Sequence, residues 1–341
     1  MAIEHSTEKL TRADFVSDQM VKWCPGCGDH AILASLLNIF PQIGYKKENY
    51  CVVSGIGCSS RFPYYVDTYG FHGIHGRAAA IATGVKIANP GLSVWVASGD
   101  GDGTAIGGNH FIHMVRRNMD FNYILFNNEI YGLTKGQYSP TTKHGQVTVT
   151  SPHGVIDYPL NPGELVLGAR GTFFARGVDN NPKGLQEVFS SMAEHDGTAV
   201  VEVLQNCIIY NDKTHQEITD RATRDEKQIW LEHGKPMLFG KEKEKGLILR
   251  GTTLEVVEIG KDGITIDDIL VHDKRTESTG IHQMLTQMRP PEFPMAFGVI
   301  RAVEKPTYNQ MLRKQIEDAK AVSKITCVDD LLNSGDTWEI E

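Results

Sequence analysis

No stretch of this chain approaches the ~20 consecutive apolar residues that a membrane-spanning helix needs. Its first residues, Met-Ala-Ile-Glu-His-Ser-Thr-Glu-Lys9, lack the apolar core of a secretory signal, so the expected location is the cytoplasm. Basic blocks are absent and the net charge is −8, which argues against nucleic acid as a main partner. Internal repeats are absent as well. Cysteine is scarce, with six in 341 residues. In a reducing compartment those six are free thiols or metal ligands rather than disulfides. Hydrophobic content of 40% and charged content of 22% are ordinary for a soluble globular enzyme with one large domain or two.

Organisation emerges from short apolar runs alternating with helix-length segments. Tyr50-Cys-Val-Val53, Val94–Ser98, Tyr123–Phe126 and Thr198–Leu204 read as buried strands. Helices are expected over Ala31–Phe40, Ala78–Ala88 and Gly108–Arg117, and from Pro182 onward. This alternation predicts an α/β fold, a mostly parallel sheet with helices on both faces. Residues 1–22 read as a polar N-terminal arm and 23–211 as the main domain. Residues 212–341 read as a C-terminal extension of charged linker and mixed elements.

Chemistry concentrates where the strands end. Val94–Ser98 runs into Gly99-Asp100-Gly101-Asp102, and Tyr123–Phe126 runs into Asn127-Asn128-Glu-Ile130-Tyr131-Gly132. Two buried strands that each stop at an oxygen ligand can hold a hard cation between them. Mg²⁺ takes such ligands at roughly 2.0–2.1 Å and shares them with phosphate oxygens. Gly99 and Gly101 allow a sharp turn and close approach to a phosphate. The pair therefore reads as a metal–diphosphate site, against a bland alternative of two unrelated surface turns.

The thiols follow the same geography. Cys24 and Cys27 form a Cys-x-x-Cys pair, Cys58 follows the first strand through Gly55-Ile-Gly57, and Cys207 follows the strand ending at Leu204. Four thiolates suit a 4Fe–4S cluster or a closed zinc site, and spacing alone leaves both open, along with no metal at all. Cys51 reads as a small core residue and Cys327 as an incidental tail thiol. His75 opens a helix entrance where backbone N–H groups favour anions. His72, Tyr131 and Gln137 are further pocket candidates.

Gly-Asp-Gly followed by Asn-Asn resembles the thiamine diphosphate fingerprint. The full order is Cys-Pro-Gly-Cys-Gly, Gly-Ile-Gly-Cys-Ser-Ser-Arg, Gly-Asp-Gly-Asp, then Asn-Asn-x-Ile-Tyr-Gly-x-Thr-x-Gly-Gln. It resembles, over roughly residues 20–210, the β subunit of 2-oxoacid:ferredoxin oxidoreductases. The resemblance implies that Asp100, Asn128 and the Ile130 carbonyl bind Mg²⁺. It also implies a 4Fe–4S cluster on Cys24, Cys27, Cys58 and Cys207. Thiamine diphosphate contacts would come from Ile56, Gly57, Cys58, Ser59, His75, Gly101, Asp102, Gly132 and Leu133. An α subunit would supply the pyrimidine-binding half, giving an (αβ)₂ hetero-oligomer, with coenzyme A and ferredoxin as further partners.

Arg61, three residues past Cys58 in an apolar loop, is the candidate for gripping a substrate carboxylate. The other reading is an ion pair with Asp67. The Cys-Ser-Ser-Arg-Phe version of the motif looks like the branch acting on 2-oxoglutarate or a broad range of 2-oxo acids. Rival functions are a pyruvate or broad 2-oxo acid oxidoreductase, a non-oxidative decarboxylase subunit with structural zinc, and a non-catalytic scaffold.

Overall fold

The computed structural model describes residues 3–340; Met1 and Glu341, at the ends of the expected arm and extension, lie outside the described residues, as does Ala2. Among the described residues, eleven strands form two sheets. They are β1 Tyr50–Ser54, β2 Tyr69–His72, β3 Ser93–Gly99, β4 Phe121–Asn127, β5 Phe173–Val178, β6 Thr198–Leu204, β7 Gln228–Leu231, β8 Leu238–Phe239, β9 Lys245–Arg250, β10 Thr253–Glu258 and β11 Met295–Ala302. The main sheet runs β2-β1-β3-β4-β6-β5-β11-β7, and β8–β10 make a small antiparallel sheet. Every pairing of the main sheet is parallel except β5 with β11.

The expected architecture forms because its central strands are apolar on both faces. Every residue of β1, β4, β5 and β6 is buried. Successive side chains point to opposite faces. Val94 and Val96 therefore pack with Phe111 and Met114 of the helix Gly108–Arg117. Trp95 and Ala97 pack instead under the helix Asp29–Ile43 with Leu36 and Phe40.

Two regions differ from the sequence expectation. The arm is not merely polar, because Phe15 is fully buried against Phe40 and Tyr50. The stretch past residue 211 is not separate from the main sheet, since β7 and β11 extend it. Among the described residues, no helix is long and apolar enough to cross a membrane.

From β1 the chain steps outward to β2, then returns to the other side of β1 as β3. Strand order thus reverses between β1 and β3. In open α/β sheets the crevice outside the carboxyl ends of the strands, at such a reversal, is where ligands bind.

Candidate site at the carboxyl ends of the strands

The loop after β1 is braced from below. The Ser54 hydroxyl donates to the Ser60 carbonyl at 2.7 Å, and the Trp23 indole donates to the Cys58 carbonyl at 2.6 Å. Ile56, Gly57 and Cys58 stay half-buried on this rigid support, while Ser59 is buried. Arg61 follows, half-buried, and among the described residues its guanidinium makes no ion pair. The proposed partner Asp67 is taken instead by Lys47. The positive charge of Arg61 acts on two neighbours, easing ionisation of the Cys58 thiol and opposing protonation of His72. His72 and His75 are both exposed at the rim.

β3 ends at Gly99 and is followed directly by Asp100, which is 2% exposed. Its Oδ2 accepts from the Ser139 hydroxyl at 2.5 Å and the Thr141 hydroxyl at 2.6 Å. Burial pushes its carboxyl up to about 6, against those two hydrogen bonds. A carboxylate in this position is short of positive charge, which a divalent cation supplies. The donor set therefore fits a hard cation. Gly101 has no room for a side chain: a β-carbon there would lie 2.2 Å from the Tyr131 ring. The Tyr131 hydroxyl closes the contact by donating to the Gly101 carbonyl at 3.0 Å.

β4 separates the two asparagines of the motif. Asn127 is buried and structural: its amide donates to Glu202 at 2.8 Å and accepts from Thr141 at 2.9 Å. Asn128 is half-buried, and its side-chain oxygen accepts the Ile130 N–H at 3.2 Å, an Asx-type turn. Glu129 between them adopts a left-handed φ of 56°. The turn thus brings Asn128 and Ile130 together beside Asp100's strand. Leu133 is 46% exposed on the far side of the turn.

The four thiols gather at the same edge. A β-carbon on Gly132 would lie 3.3 Å from Cys207 Sγ and 3.9 Å from Cys58 Sγ. Cys27 Sγ accepts from the Gln205 amide at 3.2 Å. Burial pushes the Cys27 thiol up, and Asp29, Cys207 and Cys58 add to the shift. Cys58 is pushed up to about 12 by burial, with Asp29, Cys207 and Cys24 adding. Each of these groups therefore stays a thiol until cations compensate the lost protons, which metal ligation does. Among the described residues, no three His, Cys, Asp or Glu side chains converge tightly enough for a single metal ion. Cys58 and Cys207 both lie beside Gly132, and thiolate is the ligand type that an iron–sulfur cluster or a closed zinc site takes. Cys51 lies in the core and Cys327 on the exposed tail, apart from this group.

Sequence reasoning missed Ser139 and Thr141, which hold Asp100, because they sit in a long irregular segment with no periodicity. It also missed the buried pair Arg176–Glu202, 2.7 Å apart, which fixes Asn127 from behind.

Similar proteins bear on this geometry. Residues 55–203 match the thiamine pyrophosphate enzyme C-terminal TPP-binding domain. The 2-oxoglutarate oxidoreductase subunit KorB of Mycobacterium tuberculosis is 45% identical over 331 residues, covering 96% of this chain and 88% of that protein. The 2-oxoglutarate synthase subunit KorB of Archaeoglobus fulgidus is 42% identical over 212 residues, covering 62% of this chain and 77% of its own length. A solved 2-oxoglutarate:ferredoxin oxidoreductase from Magnetococcus marinus, with 2-oxoglutarate, coenzyme A and succinyl-CoA bound, superposes with a TM-score of 0.78. That match has 30% identity and covers 98% of this chain and 100% of the other.

Proposed function

The chain belongs to the β-subunit family of 2-oxoacid:ferredoxin oxidoreductases, and on that premise we propose that it oxidatively decarboxylates 2-oxoglutarate. In this reaction the 2-oxo acid loses CO₂ and two electrons, and the succinyl group passes to the sulfur of coenzyme A. A 4Fe–4S cluster held by Cys24, Cys27, Cys58 and Cys207 would supply a one-electron outlet for those two electrons toward ferredoxin. The observation that carries the reading is the convergence of Asp100, the Asn128–Ile130 turn and four thiols on one sheet edge. Thiamine diphosphate, when bound, supplies the electron sink that makes loss of CO₂ feasible.

The chain's own residues do the rest. Asp100, Asn128 and the Ile130 carbonyl would hold Mg²⁺, which would anchor the diphosphate. Ile56, Gly57, Cys58, Ser59, His75, Gly101, Gly132 and Leu133 line the cofactor, with the backbone of Asp102 alongside. Cys24, Cys27, Cys58 and Cys207 hold the cluster, and Cys58 joins the two, since it lies on both lists. Arg61, without an ion-pair partner among the described residues, offers its planar guanidinium to a substrate carboxylate, and it stays charged when desolvated. The pyrimidine-binding half comes from an α subunit in an (αβ)₂ assembly.

The test is an anaerobic assay of the chain co-purified with its α subunit. Reduction of ferredoxin should require both 2-oxoglutarate and coenzyme A, and succinyl-CoA should accumulate. A faster reaction with pyruvate overturns the substrate assignment. Decarboxylation without reduction, from a colourless zinc protein, overturns the redox reading.

A further inference from the structure

Asp102 lies two residues beyond Asp100, yet its carboxylate faces protein. Oδ1 accepts the Gly76 N–H at 2.7 Å and the Ile56 N–H at 3.1 Å. Oδ2 accepts the Ser98 hydroxyl at 2.6 Å. The residue is 5% exposed. The loop after β1 has room for this carboxylate because residue 55 is glycine: a β-carbon there would lie 2.0 Å from Oδ2. A π-type turn over Asp102–Ile106, inserted before the helix Gly108–Arg117, carries Asp102 at its first position. Such turns recur at functional sites.

The three acceptor contacts join separate pieces of chain. Ile56 precedes Cys58 by two residues, and Gly76 directly follows His75. β1 and β2 are paired as far as Ser54 and His72, and the Gly73 N–H still reaches the Ser54 carbonyl at 2.8 Å. Beyond that point the two loops part. Among the described residues no direct hydrogen bond links 55–58 to 74–76; Asp102 is what ties them. A carboxylate accepting several N–H and O–H donors makes charge-assisted bonds, stronger than neutral ones.

We propose that Asp102 is a positioning residue whose carboxylate clamps the β1 and β2 loops to the end of β3, setting the spacing between Cys58 and His75. This rests on the thiamine diphosphate reading of the site, and it assigns the side chain a task other than lining the diphosphate. The two roles predict opposite signs. A carboxylate aimed at a diphosphate repels it, so neutralising the charge would tighten binding. Neutralising a clamp loosens the cradle and weakens binding.

The experiment compares Asp102→Asn, Asp102→Ala and Ser98→Ala with the wild type in the full chain. Hydrogen exchange is first read with no cofactor added. Asp102→Asn keeps an acceptor oxygen without its charge, so the amides of Ile56 and Gly76 should lose protection in part; Asp102→Ala removes both acceptors, and there they should lose it fully and together. Titration with thiamine diphosphate and Mg²⁺ should then show roughly 10–100-fold weaker binding, the usual cost of losing a supporting hydrogen-bond partner. Ser98→Ala keeps both loop bonds and should leave both amides protected. Unchanged exchange at the two amides in Asp102→Ala, or tighter cofactor binding, overturns the clamp. Should Asp102→Ala not fold, wild-type exchange decides: fast exchange at Ile56 and Gly76 overturns the clamp, and slow exchange supports it. A chain that binds no thiamine diphosphate sinks the cofactor reading alone, because the exchange data are taken without ligand.

Discussion

At the carboxyl edge of the sheet, Asp100 and Arg61 have no ion-pair partner among the described residues, and the half-buried Cys27 and Cys58 thiols are held neutral. In the last third, polar groups of the same density answer one another. His282 lies between Arg301, whose guanidinium donates to Nδ1 at 3.1 Å, and the Asp273 carbonyl, 2.9 Å from Nε2. Arg301 also donates to the carbonyls of Gly171 and Thr276. The first arrangement gives up stability to keep ligand positions open, and the second recovers rigidity by pairing His282 and Arg301 within the protein. Both regions look polar in sequence. What separates them is whether the partner is protein.

The sharpest way to break this contrast is at Asp100. Asp100→Ala should abolish binding of Mg²⁺ and thiamine diphosphate, and Asn128→Ala should weaken it less, because the carboxylate brings charge and the amide only a dipole. Calorimetric titration reads both. Equal affinity in Asp100→Ala and wild type would falsify the metal site. The unfolding midpoint should hold or rise in Asp100→Ala, since a desolvated carboxylate is removed.

The bridge between the regions comes next. Arg176→Met leaves Glu202 buried without its ion-pair partner, with only the charge of Arg289 acting on it, which costs about 3–5 kcal/mol. Denaturant unfolding should show that loss. Cofactor affinity should also fall, because Glu202 positions Asn127 and, through Thr141, Asp100. A stability loss with intact affinity would show that the two regions are uncoupled.

The closed region should respond to acid. Burial lowers the His282 pKa from 6.5 to about 4, and the Arg301 charge adds to this. Between those values the unfolded chain takes up a proton that the folded chain refuses. Stability therefore falls as pH drops from 6.5 toward 4, by about 3 kcal/mol at most from this group. In His282→Gln that part of the pH dependence should vanish. A profile identical to wild type would mean His282 titrates freely in the folded chain.

The smallest expected effect is at Arg61. Arg61→Met should raise KM for 2-oxoglutarate and discriminate less against pyruvate, a charged hydrogen bond costing about 1.5–3 kcal/mol. Unaltered selectivity in steady-state kinetics removes Arg61 from the substrate site.

Much of the fold was legible because parallel strands buried on both faces are continuous apolar runs. Thr198–Leu204 and Gly108–Arg117 form over the spans their patterns indicate. β5 was not, because Arg176 interrupts Phe173–Val178 and its counter-charge, Glu202, is distant in sequence. β11 was hidden in the same way by Gly298 and Arg301 and by the prolines before it. At the site, Asp100, Asn128 and the thiols stood out because the chemistry restricts their residue types and spacing. Ser139 and Thr141 did not, since a hydroxyl in an irregular segment looks the same whether it meets water or Asp100.

The Arg176 guanidinium also donates to the Ala296 carbonyl at 3.1 Å, spanning 120 positions of the chain. This has a consequence in time. Contacts so distant along the chain form late, after the loop-closure entropy between them has been overcome. During synthesis the strands that carry Asp100 and Asn128 emerge long before β11 does. Their surroundings reach final form only when residue 296 docks, so a ribosome-bound chain halted before that point should hold the motifs without the grip.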